Sequence, residues 1–197
     1  NDVVYLESGE VYLDAGAVAV DAVDGELTDR IEVGLPTNLA KPGDYVVTYD
    51  VSDMSDNRAP QAIRQVIVRD TTPPLLQIKG DSYVLVEAGE SYTDAGVVAI
   101  DSTDGDLSAA VLTVNPVDTR RPGEYTITYD VADLSGNRAE TETRSVSVRD
   151  TQRPKMTLVG ADEIEVKVGM KYSDAGATAE DAFEGNLTGS IQVDDSQ

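Results

Sequence analysis

Between Tyr125 and Val131, apolar side chains at 125, 127, 129 and 131 alternate with Thr126, Thr128 and Asp130. This is the period-two pattern of a strand with one buried and one wet face. Asp133-Leu134-Ser135-Gly136-Asn137 follows, a turn in which Asp and Asn bond their own backbone and Gly supplies a positive φ. The same alternation and turn occur eighty residues earlier, from Tyr45 to Asn57. Around the later copy, Leu75 to Lys79 and Tyr83 to Glu87, parted by Gly80-Asp81, predict a first strand broken in two. Val97 to Ile100 predicts a second strand, ended by the loop Asp101-Ser102-Thr103-Asp104-Gly105. Val111 to Val114 predicts another, Arg121-Pro122-Gly123 a turn, and Arg138 to Arg149 the last strand. Val146 and Val148 share one parity and Ala139 has the other, so a bulge is expected between Thr141 and Arg144. No ten-residue window has helical spacing. About seven short strands, with a turn roughly every 8 to 12 residues, predict an all-β chain of β-sandwich domains.

Repetition sets the domain plan. Asp14-Ala15-Gly16, Asp94-Ala95-Gly96 and Asp174-Ala175-Gly176 recur at intervals of eighty, and residues 1–70 agree with 81–150 at about 32 of 70 positions without a gap. The expected domains are therefore 1–70, a repeat lacking its first strand; 71–150, a complete repeat; and 151–197, the N-terminal half of a third. Arg69-Asp70-Thr71-Thr72-Pro73-Pro74 and Arg149-Asp150-Thr151-Gln152-Arg153-Pro154 are linkers whose prolines favour a stiff, extended connection. The offset ends read as a window on a longer array, or as segments completed by another chain.

Composition narrows the chemistry. With no Cys, no His, no Trp and one Phe, thiolate and imidazole chemistry is absent and an enzyme is not expected. A net charge of −22, from 37 acidic against 15 basic residues, repels phosphate backbones and anionic lipid, so neither nucleic acid nor a membrane surface is an expected partner. Cations are. No apolar run approaches the roughly 18 residues needed to cross a bilayer, and no signal-peptide pattern is present.

Five motifs recur in one order: Asp-Thr-Thr-Pro-Pro at 70–74, Tyr-Thr-Asp-Ala-Gly at 92–96, Asp-x-x-Asp-Gly-Asp-Leu at 101–107, Pro-Gly-Glu-Tyr-Thr-Ile-Thr-Tyr at 122–129 and Asp-Leu-Ser-Gly-Asn at 133–137. Over nearly the whole chain they resemble the bacterial surface Ig-like repeats also found in some crystal toxins, and more distantly hyalin-type and cadherin-like modules. The resemblance implies tandem immunoglobulin-like β-sandwich domains of about 80 residues, secreted or displayed at a cell surface, and no single activity. Asp56 stands where the family has the glycine that Gly136 supplies, and Glu184 replaces the acid of Asp24 and Asp104.

In a seven-strand sandwich the incoming chain shares one end with the second-to-third and sixth-to-seventh strand loops, and here those loops are acidic. Asp101, Asp104, Asp133 and Asn137 lie on them, and the linker brings Asp70 alongside. The corresponding residues are Asp21, Asp24, Asp53 and Asn57 in the first repeat and Asp150, Asp181 and Glu184 in the third. All are oxygen ligands suited to Ca²⁺. They are equally ordinary turn formers, and Arg58 and Arg138, each following an Asn, offer a counter-charge instead of an ion. Asp94 is roughly 23 Å of extended strand from Asp101, so it belongs at the outgoing end, where it would hold Asp150 or stabilise a turn. Asp50 and Asp130 are further ligand candidates. Tyr49 and Tyr129 read as core, and the Asn186-Leu187-Thr188 sequon occurs in one repeat alone.

The expected function is a structural and adhesive extracellular array, a stalk or fibre stiffened at its junctions by Ca²⁺, with neighbouring repeats of the chain as first partners. The alternatives are a carbohydrate- or receptor-binding accessory module meeting a host or cell-surface ligand, for which 32–39 against 112–119 is the main cluster of differences, and a filament subunit completed by other copies of itself.

Overall fold

The computed structural model describes residues 3–194. The protein is all-β, and the helical turns among the described residues are single 3₁₀ turns at Thr28–Arg30, Ser108–Ala110 and Thr188–Ser190. The strands of the first repeat are β1 (Val3–Glu7), β2 (Val20–Asp21), β3 (Gly25–Glu26), β4 (Glu32–Gly34), β5 (Gly43–Asp50) and β6 (Ala62–Arg69). Those that follow are β7 (Leu75–Ile78), β8 (Tyr83–Glu87), β9 (Val97–Asp101), β10 (Gly105–Asp106), β11 (Leu112–Val114), β12 (Gly123–Asp130) and β13 (Glu142–Arg149), then β14 (Lys155–Leu158), β15 (Ala177–Asp181) and β16 (Gly185–Asn186). The broken first strand expected from Gly80-Asp81 is thus the pair β7 and β8.

The chain divides into two compact units, one of residues 1–77, 98–111 and 130–140, the other of 78–97, 112–129 and 141–197. In the first unit the sheet order is β1-β6-β5-β4. β5 and β6 run antiparallel from Gly43↔Val68 to Tyr49↔Ala62, and β1 joins β6 in parallel from Val3↔Gln65 to Glu7↔Arg69. Alternation turns Val47, Tyr49, Val66 and Val68 inward, and Val4, Leu6, Tyr12, Ala17, Ile31, Leu39 and Tyr45 pack against them. Each fully buried valine there contributes about 1.5–3 kcal/mol. The same unit holds β10 and most of β9 and β7, in sheet order β10-β9-β7. Its loop 130–140 is closed by the bonds Asp133 N–H to Asn137 O (3.0 Å) and Ala139 N–H to Val131 O (3.0 Å).

The second unit contains the sheet β11-β12-β13-β8. β12 pairs β13 without interruption from Gly123↔Val148 to Tyr129↔Glu142, and β8 lies parallel to β13 from Tyr83↔Ser145 to Glu87↔Arg149. Between Tyr129↔Glu142 and the isolated bridge Ala132↔Arg138 the register shifts by one residue, so the expected bulge falls at 139–141, just before this continuous ladder. The last strand begins at Glu142 rather than Arg138, whose part is an isolated bridge to Ala132, and the extra residue moves the inward parity from Ala139 to that of Arg144, Val146 and Val148. Arg144 fills an inward position on the same parity as Val146 and Val148. The sheet β14-β15-β16 completes the unit; between β14 and β15, Ile164, Val166, Val168 and Met170 are exposed.

Arg144 is 1% exposed. Its guanidinium pairs with the Asp94 carboxylate and donates to the carbonyls of Lys79, Asp81 and Gly96 and to the Tyr129 hydroxyl. Asp94 accepts from the hydroxyls of Tyr129 (2.8 Å) and Tyr92 (3.1 Å). Burial works to raise the Asp94 pKa, but the Tyr129 hydrogen bond and the Arg144 charge outweigh it and hold the carboxyl below its ordinary value. The carbonyls of Lys79 and Asp81 flank the break between β7 and β8, so one side chain ties that break to β13. Arg64, Asp14, Tyr49 and Tyr12 repeat the arrangement eighty residues earlier.

Arg144→Ala leaves Asp94 charged and unpaired in a dry site, and is expected to cost about 3–5 kcal/mol in urea denaturation. Asp56 holds φ 63°, the left-handed conformation taken by Gly136 at φ 92°. Asp56→Gly is therefore expected to stabilise the first repeat by up to about 1 kcal/mol, read as a higher denaturation midpoint.

Candidate metal centre

Three segments of the first unit converge. The linker after β6 carries Asp70, the loop joining β9 to β10 carries Asp101 and Asp104, and the turn after Val131 carries Asp133. One carboxylate oxygen from each of the four lies within 4.8 Å of the other three. Asp70, Asp101 and Asp133 are buried at 6%, 4% and 8% exposure.

Local backbone chemistry aims each acid. Asp101 Oδ1 accepts the N–H groups of Thr103 (2.7 Å) and Asp104 (2.9 Å), the Asx turn that its loop sequence encodes. Asp104 Oδ2 accepts the N–H of Leu134 (2.8 Å) and so stitches the two loops together. Asp133 accepts the backbone N–H and side-chain amide of Asn137, both at 2.7 Å, and that amide also donates to the Asp70 carbonyl (3.0 Å). Asn137 thus braces the linker against the turn. From the other side Glu7 accepts the N–H (2.7 Å) and hydroxyl (2.9 Å) of Thr71 and the hydroxyl of Thr72 (3.0 Å), fixing the linker where it leaves β6.

Two atoms are left over. Asp70 Oδ2 and Asp101 Oδ2 are buried with no hydrogen-bond partner, at a cost of roughly 1–3 kcal/mol each or more when ionised. Among the described residues no ion pair links an arginine or lysine to any of the four acids; Arg58 and Arg138 are exposed and supply no such counter-charge. Burial drives the Asp70 pKa above its ordinary value; the Thr72 N–H offsets this in part, and the charges of Asp101, Asp133 and Glu7 push it further up. At Asp133 burial acts in the same direction, but the Asn137 hydrogen bonds prevail and the pKa is lowered.

This donor set fits a hard divalent cation. Oxygens on opposite sides of a Ca²⁺ ion at 2.3–2.6 Å are at most about 5 Å apart, the spacing found here, and a cation supplies the missing partner for both buried oxygens.

The corresponding acids elsewhere share the wiring but not the convergence. Asp21 Oδ1 accepts the N–H groups of Val23 and Asp24, Asp24 Oδ2 that of Met54, and Asp53 the backbone and side-chain amides of Asn57. Asp181 Oδ1 accepts from Phe183 and Glu184, and Asp150 Oδ1 from Gln152. Among the described residues neither the Asp21, Asp24, Asp53 set nor the Asp150, Asp181, Glu184 set brings three acids as close as the four around Asp70. Asp94 is tied to Arg144 and the tyrosines rather than to Asp150. Asp50 is held by Gln61 (2.8 Å), and neither Asp50 nor Asp130 joins the cluster. Asn186 Oδ1 accepts the N–H of Thr188 (2.9 Å), closing a turn within the sequon.

The profile of the bacterial surface protein Ig-like domain family matches residues 1–68 and 76–148. The chain belongs to this family. Its relatives include the pesticidal crystal protein Cry22Aa of Bacillus thuringiensis, 30% identical over 89% of this chain and 24% of its own length. Hyalin of Lytechinus variegatus is 32% identical over 64% of this chain and 26% of its own. The chain thus spans about a quarter of the length of either relative. Among solved structures, human CDH23 EC21-23 aligns over 84% of this chain and 66% of its own at 19% identity, with a TM-score of 0.35.

Two features of this Ig-like chain escaped sequence reading, the Arg144 ion pair and the Glu7 clamp, although Glu7 and Thr71 recur in register as Glu87 and Thr151, joined by bonds of 2.9 and 2.7 Å.

The raised Asp70 pKa has a definite sign in stability. A carboxyl whose folded pKa lies above its unfolded one favours folding while protonated, and that contribution is lost as pH rises through the folded pKa. In chelator at pH 7, Asp70→Asn is therefore expected to raise the melting temperature by a few degrees, and the gain is expected to vanish in acid below the carboxylate range.

Proposed function

We propose that this chain is a structural and adhesive repeat array outside the cell, in which Asp70, Asp101, Asp104 and Asp133 bind one Ca²⁺ where the linker from the first repeat meets the loops of the next. The observation that carries the reading is the pair of partnerless buried oxygens, Asp70 Oδ2 and Asp101 Oδ2. Turn chemistry accounts for Asp101 Oδ1 and both Asp133 oxygens, but gives no reason to bury two more facing like charge. Membership of a bacterial surface family supports the extracellular setting.

In this reading each residue has a separate task. Asx turns fix Asp101 and Asp133, the Leu134 N–H orients Asp104, and Glu7 with Asn137 holds the linker so that Asp70 completes the set. The ion supplies positive charge that cancels their repulsion. Its effect is to turn a proline-stiffened linker into a fixed joint, and the Asp150, Asp181, Glu184 set offers the beginnings of another such joint at the next linker.

Calorimetric titration of the full chain is expected to find a Ca²⁺ site that Asp133→Asn weakens strongly. At a hundredfold excess over the dissociation constant the ion adds about 2.7 kcal/mol to stability. Asp70→Asn, stabilising in chelator, should be destabilising relative to the parent once Ca²⁺ is present. Melting curves that overlay in chelator and in millimolar Ca²⁺ would remove the ion from this reading.

A further inference from the structure

The chain's single phenylalanine is in a loop rather than a core. Phe183 lies between β15 and β16, at the third position of Asp181-Ala182-Phe183-Glu184-Gly185, where the second repeat has Thr103. The turn itself has no use for an aromatic ring. It needs only the backbone N–H of this residue, which Asp181 Oδ1 accepts at 2.8 Å, and Thr103 gives its own N–H to Asp101 Oδ1 in the same way (2.7 Å). Phe183 is nonetheless half-buried.

Its neighbour across the joint belongs to the second repeat. A methyl group built on Gly89 would lie 3.5 Å from Phe183 Cδ2, the distance of ordinary van der Waals contact. Gly89 holds φ 85° in the turn that follows β8. That turn is tied down by three backbone bonds, from Ala88 N–H to Arg149 O (2.9 Å), from Gly89 N–H to Thr119 O (2.8 Å) and from Glu90 N–H to Glu87 O (3.2 Å). The Glu87 carboxylate in turn holds the N–H and hydroxyl of Thr151 in the linker. The ring therefore faces a fixed surface with no side chain at that point, and glycine serves both the left-handed turn and the close approach. At the preceding joint Gly9 has the same conformation, φ 82°, but Thr103 does not reach it: nothing lies within 4 Å of a methyl group built there.

We propose that Phe183 and the Gly89 turn form an apolar latch that fixes the third repeat against the second without an ion. The surface recognised is the flat glycine turn of the preceding repeat, and the driving force is ring area removed from water, which a chelator leaves untouched. The array then has joints of two kinds: the one at Asp70, whose acids call for a cation, and this one, which is set before any ion arrives. That contrast rests on the proposed function; the latch does not.

The chain has no cysteine, so Thr126→Cys and Thr157→Cys, at exposed positions of β12 and β14, place one spin label on each side of the joint in the full chain. Electron–electron double resonance in chelator is expected to read one narrow distance distribution. Phe183→Thr, which substitutes the residue type found at 103, is expected to widen it to about twice its breadth as several orientations replace one. Phe183→Leu keeps an apolar contact and should leave it narrow. Gly89→Asn approaches from the other side: asparagine tolerates the left-handed turn but sets a polar amide against the ring, so the same widening is expected with the third repeat unaltered. Combined with Phe183→Thr it should add nothing further. A parent distribution already as broad as that of Phe183→Thr, or one left narrow by both substitutions, would overturn the latch, and widening by only one of them would overturn the pairing of Phe183 with Gly89.

Discussion

Like charges held close in a dry place govern the first unit. Four aspartates with oxygens within 4.8 Å of one another are positioned by bonds from backbone and neighbouring side chains: Asx turns, a loop-to-loop amide, and a linker braced by Glu7 and Asn137. The geometry is therefore set before the electrostatics are resolved, and the raised pKa of Asp70 is the visible residue of that conflict. Folding supplies the frame and leaves its charge to be neutralised.

Much of this was legible in the chain itself, for physical reasons that differ by residue. Tyr125, Ile127 and Tyr129 announce a strand because the pleat has a period of two, and the structure turns Ile127 and Tyr129 inward. The acidic loops could be placed because the same turn formers recur every eighty positions. That two of the four acids around Asp70 each keep a buried oxygen without a partner could not be read from spacing. Asp21 and Asp101 share the Asp-x-x-Asp-Gly spacing and the same Asx turn, yet Asp101 is buried and Asp21 half-buried, a difference of long-range packing that spacing does not encode.

Arg144 is hidden from pattern reading for a related reason. Arginine at an inward position gives no apolar signal to read, and charged side chains are seldom fully buried. The ladder from Glu142 to Val148 is continuous, and the guanidinium is accommodated in it because Asp94, Tyr129 and three carbonyls satisfy it together. The recurrence of Asp14, Tyr49 and Arg64 in the same relation was available as a signal, since an acid, a tyrosine and an arginine sharing one interval mark a single spatial cluster.

The parallel pairing of β1 with β6, and of β8 with β13, carries one more consequence. These strands lie near the start and the finish of a repeat, so tension applied through the connecting segments pulls them lengthwise past each other. Five consecutive residue pairs then bear the load at once, instead of opening singly from one end like a zipper. A repeat of this topology therefore meets a pull on its two ends in shear.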